Sequence, residues 1–437
     1  MNRRVLIISP HFPPVNAPDM QRVRMSLPYF SGDGWDATVL TVSDPTPSAP
    51  LEPELLATLH ASAEIKRAFC FSRRWTRLLG VNNVALRSLP FLLLAGCRLL
   101  AGRRYDVVYF STTMFITFPL GRVWKFLYGV PYLIDLQDPW VTDYYERPGA
   151  PRPPGGWKYR VSQGLARTLE GWTMRRVSHL ITVSSAYIDA LRQRHPFLNE
   201  TPFTELPFGS PDLDLAYAAN KLATRQSLLP AGGIRLVFAG ALGPGMLPSV
   251  ETLFAGIAAA KKNGLNVSAH FFGTSYSPQS ESHPVTLDLA AKYGLQDCVR
   301  EQPSRLRYFD ALQVTLEADA NLLFGSNDLA FNPSKITTVL AARKPILALV
   351  PEGSAMARRL SDLNQSSVLI PSRGPDKNCI RTVAAKLEAL IKFPSNNTDS
   401  PLADRYTARM IASQQTKIFE RVSVEHGHRN EVAQPNV

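Results

Sequence analysis

The chain has 437 residues and a formal net charge of +12, with 45% hydrophobic and 19% charged residues. That profile excludes a disordered or fibrous chain and leaves room for two domains with substantial cores. Four cysteines (Cys70, Cys97, Cys298, Cys379) stand far apart without paired or metal-type spacing, which excludes a disulfide framework or a zinc module and reads as thiols in a reducing compartment.

Met1–Arg4 followed by Val5–Ile8 resembles a signal peptide only superficially. The apolar run is too short, and Pro10, Pro13 and Pro14 follow at once, so Arg4–Ser9 reads as a first strand. The loop His11–Asp19 cannot be helical with prolines this dense. A helix from about Met20 to Ser31, a stop at Gly32–Gly34 and a strand at Ala37–Val42 complete a right-handed βαβ opening of a doubly wound sheet. Pro14, Asn16 and Arg22 then lie with His11 near the carboxyl edge of that sheet. His11 is either a functional group there or a loop residue with a satisfied hydrogen bond.

Ser43–Glu54 is a Pro/Ser-rich loop, followed by an expected helix near Pro53–Ala61 and a strand near Glu64–Phe71. Residues 1–207 carry 24 Lys+Arg against 16 Asp+Glu, and residues 65–105 carry nine basic residues and no acidic one. Phe69, Phe71, Trp75, Leu78, Leu79 and the run Leu89–Ala95 interleave with them. The apolar run is too short to span a bilayer. Basic residues mixed with aromatics and leucines suit a segment lying on an anionic membrane surface, or else a core helix with a solvated basic face. No recognition motif accompanies the charge, so a nucleic-acid partner is not expected.

Asp106–Ser111 reads as a buried strand, Thr112–Tyr128 as a helix and Pro131–Leu136 as another strand. The last delivers Asp135, Asp138, Pro139 and Trp140 to the sheet's carboxyl edge. A carboxylate at Asp138 suits acid/base work or binding the hydroxyls of a polar substrate, unless it is a turn carboxylate before proline. Asp135, inside the strand end, orients the loop. Asp143–Gly156 is long, aromatic and proline-rich, as substrate-facing loops often are. Trp157–Arg176 makes a helix, His179–Val183 a strand leading to a helix cap at Ser184-Ser185, and Phe203–Leu206 a further strand. Phe208–Asp214 has the composition of a linker.

The second half restarts the pattern. Ile234–Ala239 is a strand ending in Gly240-Ala241-Leu242-Gly243-Pro244-Gly245, with a helix from about Pro248 to Asn263. Such a loop brings backbone N–H groups close to a pyrophosphate, or is a tight turn. Val267–Phe272 ends at Gly273. Helices near Val285–Tyr293 and Leu306–Glu317 flank a short strand at Val299. Ala320–Phe324, a turn-rich loop 325–332, a helix from Pro333 to Ala342 and Pro345–Val350 form a strand–loop–helix–strand unit, and that loop is where open α/β sheets bind ligands. Asn327, Asp328, Ser334 and Lys335 stand there, suited to a phosphate or serving as a cap and a solvated lysine. Helices at Ser354–Leu363 and Lys377–Ile391 flank a strand at Ser367–Ile370. Leu402–Arg421 is a final amphipathic helix, and the polar tail is expected to be disordered.

Taken together, His11-Phe-Pro-Pro14, Asp138-Pro-Trp140, Phe238-Ala-Gly240 and Pro333-Ser-Lys335-Ile…Leu340-Ala-Ala-Arg-Lys-Pro345 resemble family-4 glycosyltransferases, closest to bacterial members that build cell-surface polysaccharides, over about residues 3–420. The resemblance implies an α/β fold of two doubly wound Rossmann-like domains facing across a cleft (GT-B). An acceptor-side domain would span 1–207 and a nucleotide-sugar-binding domain 208–400. A helix at 401–423 would cross back to the first domain, with a tail at 424–437. It implies retaining, metal-independent transfer from a nucleotide-diphospho-sugar, without a cofactor, to a lipid-linked or glycan acceptor. Carried over by position, Gly240–Gly243, Gly273, Asn327, Asp328, Pro333, Ser334, Lys335 and Thr338 face the donor. His11, Pro14, Asn16, Arg22, Ser111, Asp135, Asp138 and Trp140 lie on the acceptor and sugar side. Lys335, Asp138 and His11 would be catalytic, with Lys335 neutralising the leaving diphosphate.

The chain differs from the family pattern at three places: Ala330 and Thr338 stand where members usually carry glutamates, Asn16-Ala17 replaces paired glycines, and residues 240–251 lack the usual Arg and Lys. A cytoplasmic enzyme on the inner face of the cell membrane is the leading expectation. A catalytically inactive scaffold of a polysaccharide assembly complex is the alternative, and a nucleotide-sugar epimerase a further one.

Overall fold

The structure, a computed structural model, describes residues 2–59, 63–79, 81–141, 157–222, 224–275, 283–329, 331, 333–363, 365–371, 376–392 and 403–432. Two units emerge, one of Met1–Gly209 with Ala408–Val437 and one of Ser210–Thr407.

The first unit contains β1 (Arg3–Ile8), α1 (Gln21–Phe30), β2 (Trp35–Ser43), β3 (Glu64–Phe69), α2 (Arg73–Thr76), α3 (Val84–Gly102), β4 (Val107–Ser111), α4 (Pro119–Tyr128), β5 (Tyr132–Leu136), α5 (Trp157–Met174), β6 (His179–Thr182), α6 (Ser185–Arg194) and β7 (Phe203–Glu205). Its seven strands are parallel in the order β3-β2-β1-β4-β5-β6-β7. The second unit contains α7 (Asp212–Leu222), β8 (Ile234–Ala239), α8 (Leu247–Lys262), β9 (Val267–Phe272), α9 (Leu287–Lys292), β10 (Val299–Gln302), α10 (Tyr308–Glu317), β11 (Ala320–Phe324), α11 (Lys335–Ala341), β12 (Ile346–Pro351), α12 (Ala355–Asp362), β13 (Ser367–Ile370) and α13 (Lys377–Lys392). Its six strands run in the order β10-β9-β8-β11-β12-β13. The last helix, α14 (Ala408–Val432), belongs to the first unit.

Both sheets are doubly wound, as expected. Their inner strands are largely apolar because helices cover both faces: β4 and β5 are buried at every position. In each sheet the strand order reverses once, between β1 and β4 in the first and between β8 and β11 in the second. The loops leaving those strands part at their carboxyl ends, which makes a ready crevice for a ligand.

On the other face of the first sheet, α14 lies against α1. Phe419 is buried there against Phe30, Trp35 and Tyr109 at ring separations of 5.7, 5.5 and 5.1 Å.

Four local expectations need correction. Pro53–Ala61 makes only a single 3-10 turn at Pro53–Leu56 in place of a helix. The segment 112–128 is α-helical only from Pro119, after a 3-10 turn at Phe115–Thr117, since a proline fits the first turn of a helix and not its interior. The segment 208–214 does hold the boundary between the units, after Gly209, but Asp212 already opens α7, with the Leu215 N–H bonded to the Pro211 carbonyl. The helix α14 runs on to Val432, since a polar sequence continues a helix that packing has already nucleated. The aromatic loop 143–156 lies outside the described residues.

Candidate functional site

In the first unit the switch-point loops after β1 and β4 meet at Asp19. This carboxylate is buried, with His11 Nδ1 at 2.9 Å from Oδ1 and the Thr112 hydroxyl donating to Oδ2 at 2.6 Å. Burial alone would raise its pKa. The His11 hydrogen bond and charge, the Thr112 hydroxyl and the Thr113 N–H outweigh that and hold it below the usual carboxylate range. Gln137 Nε2 donates to the Asp19 carbonyl at 3.1 Å and to Ser111 Oγ at 3.0 Å. Asp138, one residue further, is exposed, yet its carboxyl is held above the usual range by partial desolvation and then by the charge of Asp19.

Beneath this edge lies a closed polar core. Arg22 Nε pairs with Asp135 Oδ2 at 2.9 Å, and its other nitrogens donate to the carbonyls of Leu206 and Pro207 at 2.8 and 3.1 Å. Ser111 Oγ and Tyr109 OH donate to the same Asp135 oxygen, and Gln415 of α14 donates to Tyr109 OH at 3.0 Å. Arg22, Ser111 and Asp135, expected to face the acceptor, are fully buried and spend their polar groups on one another. Asn16 is equally buried and ties its loop to Glu52 at 2.7 Å, and Pro14 accepts the Glu52 N–H. Trp140 stacks on Phe115 at 6.0 Å and braces the same edge. Of the acceptor-side set, Asp138 is exposed and His11, Pro14 and Trp140 are part-exposed, while Asn16, Arg22, Ser111 and Asp135 build the floor.

In the second unit the corresponding loops follow β8 and β11. Gly240 has φ +146°, a conformation that L side chains rarely adopt, and a Cβ there would stand 3.2 Å from Lys335 Nζ. The close approach of that lysine is thus the reason for a glycine. Leu242 turns into the core while its N–H bonds to the Thr274 carbonyl at 2.9 Å, and Gly243 leads into α8. Across the switch point, the Asn327 N–H bonds to the Gly245 carbonyl at 2.9 Å, and a Cβ on Gly245 would meet Ser326 Oγ at 2.6 Å. Asn327, Asp328 and Ser334 are exposed, Gly273 (φ +67°) closes β9, and Pro333 and Thr338 are part-exposed around α11. Ala330 lies outside the described residues.

Lys335 is the center of this edge. As a residue it is part-exposed, but its ammonium lies 3.3 Å from the center of the Phe238 ring, and burial pushes its pKa down to about 7. Among the described residues no carboxylate pairs with it. A cation held this way, at the first residue of α11 and against Gly240, is complementary to a phosphate-type anion.

Three residues here escaped sequence reading. Asp19 and Gln137 were in view but carried no motif, because their partners are distant in sequence. Glu301 gathers the Thr274 hydroxyl, the Val285 and Thr286 N–H groups and the Thr286 hydroxyl, and so pins both ends of the loop after β9.

Residues 21–202 match the model of the glycosyl transferase 4-like domain. Over its whole length the fold resembles that of HepE from Anabaena, solved in complex with UDP and glucose (TM-score 0.56, 16% identity, 96% of this chain and 100% of that one). Similar matches are sucrose-phosphate synthase of Thermosynechococcus elongatus (0.54, 14%, 99% of each chain) and α,α-trehalose 6-phosphate synthase of Burkholderia multivorans (0.55, 10%, 100% and 99%). No curated protein sequence matches the chain. Two doubly wound sheets with these switch-point loops define the GT-B fold. The chain thus has the GT-B fold, and most of its first unit matches a glycosyltransferase domain.

Proposed function

We propose that this chain transfers a sugar from a nucleoside-diphosphate sugar to a lipid-linked or polysaccharide acceptor, with retained anomeric configuration and without a metal ion. The observation that carries the donor assignment is Lys335, a buried ammonium without a carboxylate partner among the described residues, set against the Gly240 loop. It supplies the positive charge that a metal provides to a leaving diphosphate elsewhere. The protein solved with UDP and glucose shares the fold, which supports a nucleotide sugar as the donor.

A thermal-shift screen against UDP-, GDP-, dTDP- and ADP-sugars tests this. One nucleotide family is expected to raise the melting temperature by several degrees, and Lys335→Ala to abolish the shift. Turnover should survive EDTA, and the product's anomeric coupling in NMR should match that of the donor. No response from well-folded protein would favor the inactive scaffold, which Thr338 at a usual glutamate position also suits.

We assign the membrane contact to the corner formed by the end of β3, α2 and the start of α3. Trp75 and Leu78 are 76% and 83% exposed there, beside exposed Arg73, Arg74 and Arg77. Phe69, Phe71 and Phe91 pack edge-to-face behind them. Exposed aromatics and leucine with arginines suit the interface of an anionic bilayer, on the cytoplasmic side where nucleotide sugars are found.

A further inference from the structure

We propose that one internal water molecule joins Arg22, Asp135 and Gln415, and that Gln415 of α14 is thereby a positioning residue for the ligand edge of the first unit. The water site stands on geometry alone; the positioning role rests on the transferase reading above.

The site follows from a count of donors and acceptors. Asp135 Oδ2 accepts the Ser111 hydroxyl at 2.7 Å and the Tyr109 hydroxyl at 3.3 Å, with Arg22 Nε 2.9 Å away as an ion pair. The Tyr109 hydrogen is committed to that carboxylate, so its oxygen accepts from Gln415 Nε2 at 3.0 Å. The terminal nitrogens of Arg22 are engaged by the Leu206 and Pro207 carbonyls. With these bonds made, Arg22 Nε, Asp135 Oδ1 and Gln415 Oε1 have no hydrogen-bond partner among the described residues.

All three side chains are buried beyond the reach of bulk solvent, where an unpaired polar group costs about 1–3 kcal/mol. They are neighbors as well: Arg22 pairs with Asp135, and Tyr109 alone bridges Asp135 to Gln415. One donor and two acceptors are the complement of a single water. It accepts from Nε and donates to Oδ1 and Oε1, about the number of bonds that a buried water makes. A cation would suit the two oxygens but not the guanidinium beside them.

The same carboxylate reaches the ligand edge. Gln137 Nε2 lies 3.3 Å from Asp135 Oδ2, 3.0 Å from Ser111 Oγ and 3.1 Å from the Asp19 carbonyl, so the loops after β1, β4 and β5 meet on it, with Asp138 next in the chain. Ser111 and Tyr109 hold only Oδ2, and the last torsion of an aspartate is soft. The water, held from α1 and α14, fixes Oδ1 and with it the plane of the carboxylate. Loss of the Gln415 amide frees that plane and shifts the edge by fractions of an ångström, which a reacting geometry does not tolerate.

The test joins density to turnover. An atomic-resolution crystal structure of the wild type should show an ordered water within hydrogen-bond distance of Nε, Oδ1 and Oε1; an empty site, or a side chain filling it, overturns the proposal. Turnover is read as release of nucleoside diphosphate, with water as acceptor, from whichever UDP-, GDP-, dTDP- or ADP-sugar gives the largest thermal shift. Gln415→Met and Tyr109→Phe should each lower it roughly 10–100-fold, the double variant no further than the worse single one, with the donor's thermal shift unchanged. Phe419→Ala, which loosens α14 by packing alone, should keep wild-type turnover at a temperature where it is folded. Full turnover in Gln415→Met, or an equal loss in Phe419→Ala, overturns the positioning role. If Gln415→Met does not fold, Tyr109→Phe decides. If the wild type consumes none of the four sugars, the transferase reading and the positioning role fall together, and the density still decides the water site.

Discussion

At the scale of single residues, Lys335 carries a charge that the protein holds at a cost. Its pKa is lowered by burial from the ordinary 10.5 to about 7, so between those values the unfolded chain binds more protons than the folded one. This group's contribution to stability therefore rises with pH from 7 toward 10.5. Lys335→Met should stabilise the protein at pH 6, on the order of 1–3 kcal/mol after allowing for relaxation, while abolishing the nucleotide shift; a thermal melt at pH 6 with and without nucleotide checks both. His179 behaves differently. It lies buried in β6, with Nε2 against the Thr204 hydroxyl, and desolvation and then Arg421 push its pKa down to about 4. The stability gained from keeping it neutral is fully present above pH 6.5 and is lost as the pH falls toward 4, on the order of 2–3 kcal/mol. Urea midpoints measured from pH 7 to 4 should fall more steeply for the wild type than for His179→Asn. Lys335 was legible in the sequence because it opens a helix after a loop, and His11 because it follows a strand. Asp19 was not, because its role depends on Thr112 and Gln137, 93 and 118 positions away.

At the scale of elements, the strands were the legible part. Runs such as Val5–Ile8 and Ala320–Phe324 are buried at every position and almost wholly apolar, because parallel strands are covered on both faces. Segments governed by proline were less legible. Pro119 opens a helix where an unbroken one was expected, and Pro211 precedes α7 where a linker was read. The same ambiguity affects α3: its 19 residues are long and apolar enough to cross a membrane by length and composition, yet Val84, Leu92, Gly96 and Leu100 pack into the first unit. Only the three-dimensional partner, such as Trp124 against Gly96, separates the two readings. The strongest single attachment of α14 is Phe419. Phe419→Ala should cost about 3–5 kcal/mol of the first unit's stability, read as an earlier urea transition in the fluorescence of Trp35, its ring neighbor.

At the scale of the whole molecule, charge is uneven, and the exposed part of it is concentrated. Of the nine basic residues in 65–105, Arg87 is buried against Asp44, Lys66 and Arg103 pair with Glu64, and Arg67 donates to the Pro13 carbonyl, which leaves Arg73, Arg74, Arg77, Arg98 and Arg104 exposed. Trp75→Ala with Leu78→Ala should weaken sedimentation with phosphatidylserine vesicles at least tenfold without moving the melting temperature, because neither side chain is in the core; unchanged binding would exclude this corner as the membrane contact. The return of α14 to the first sheet has a further consequence, in the order of synthesis. During translation, β1, α1 and β2 emerge early, but the helix that covers Phe30, Trp35 and Tyr109 emerges only after the entire second unit. The first unit is therefore completed after the second, and its apolar face waits through nearly 200 residues of elongation, some 10–40 s at ordinary ribosome speeds. For that interval the growing chain depends on whatever shields hydrophobic surface in the cell, and α14, not α1, closes the first unit.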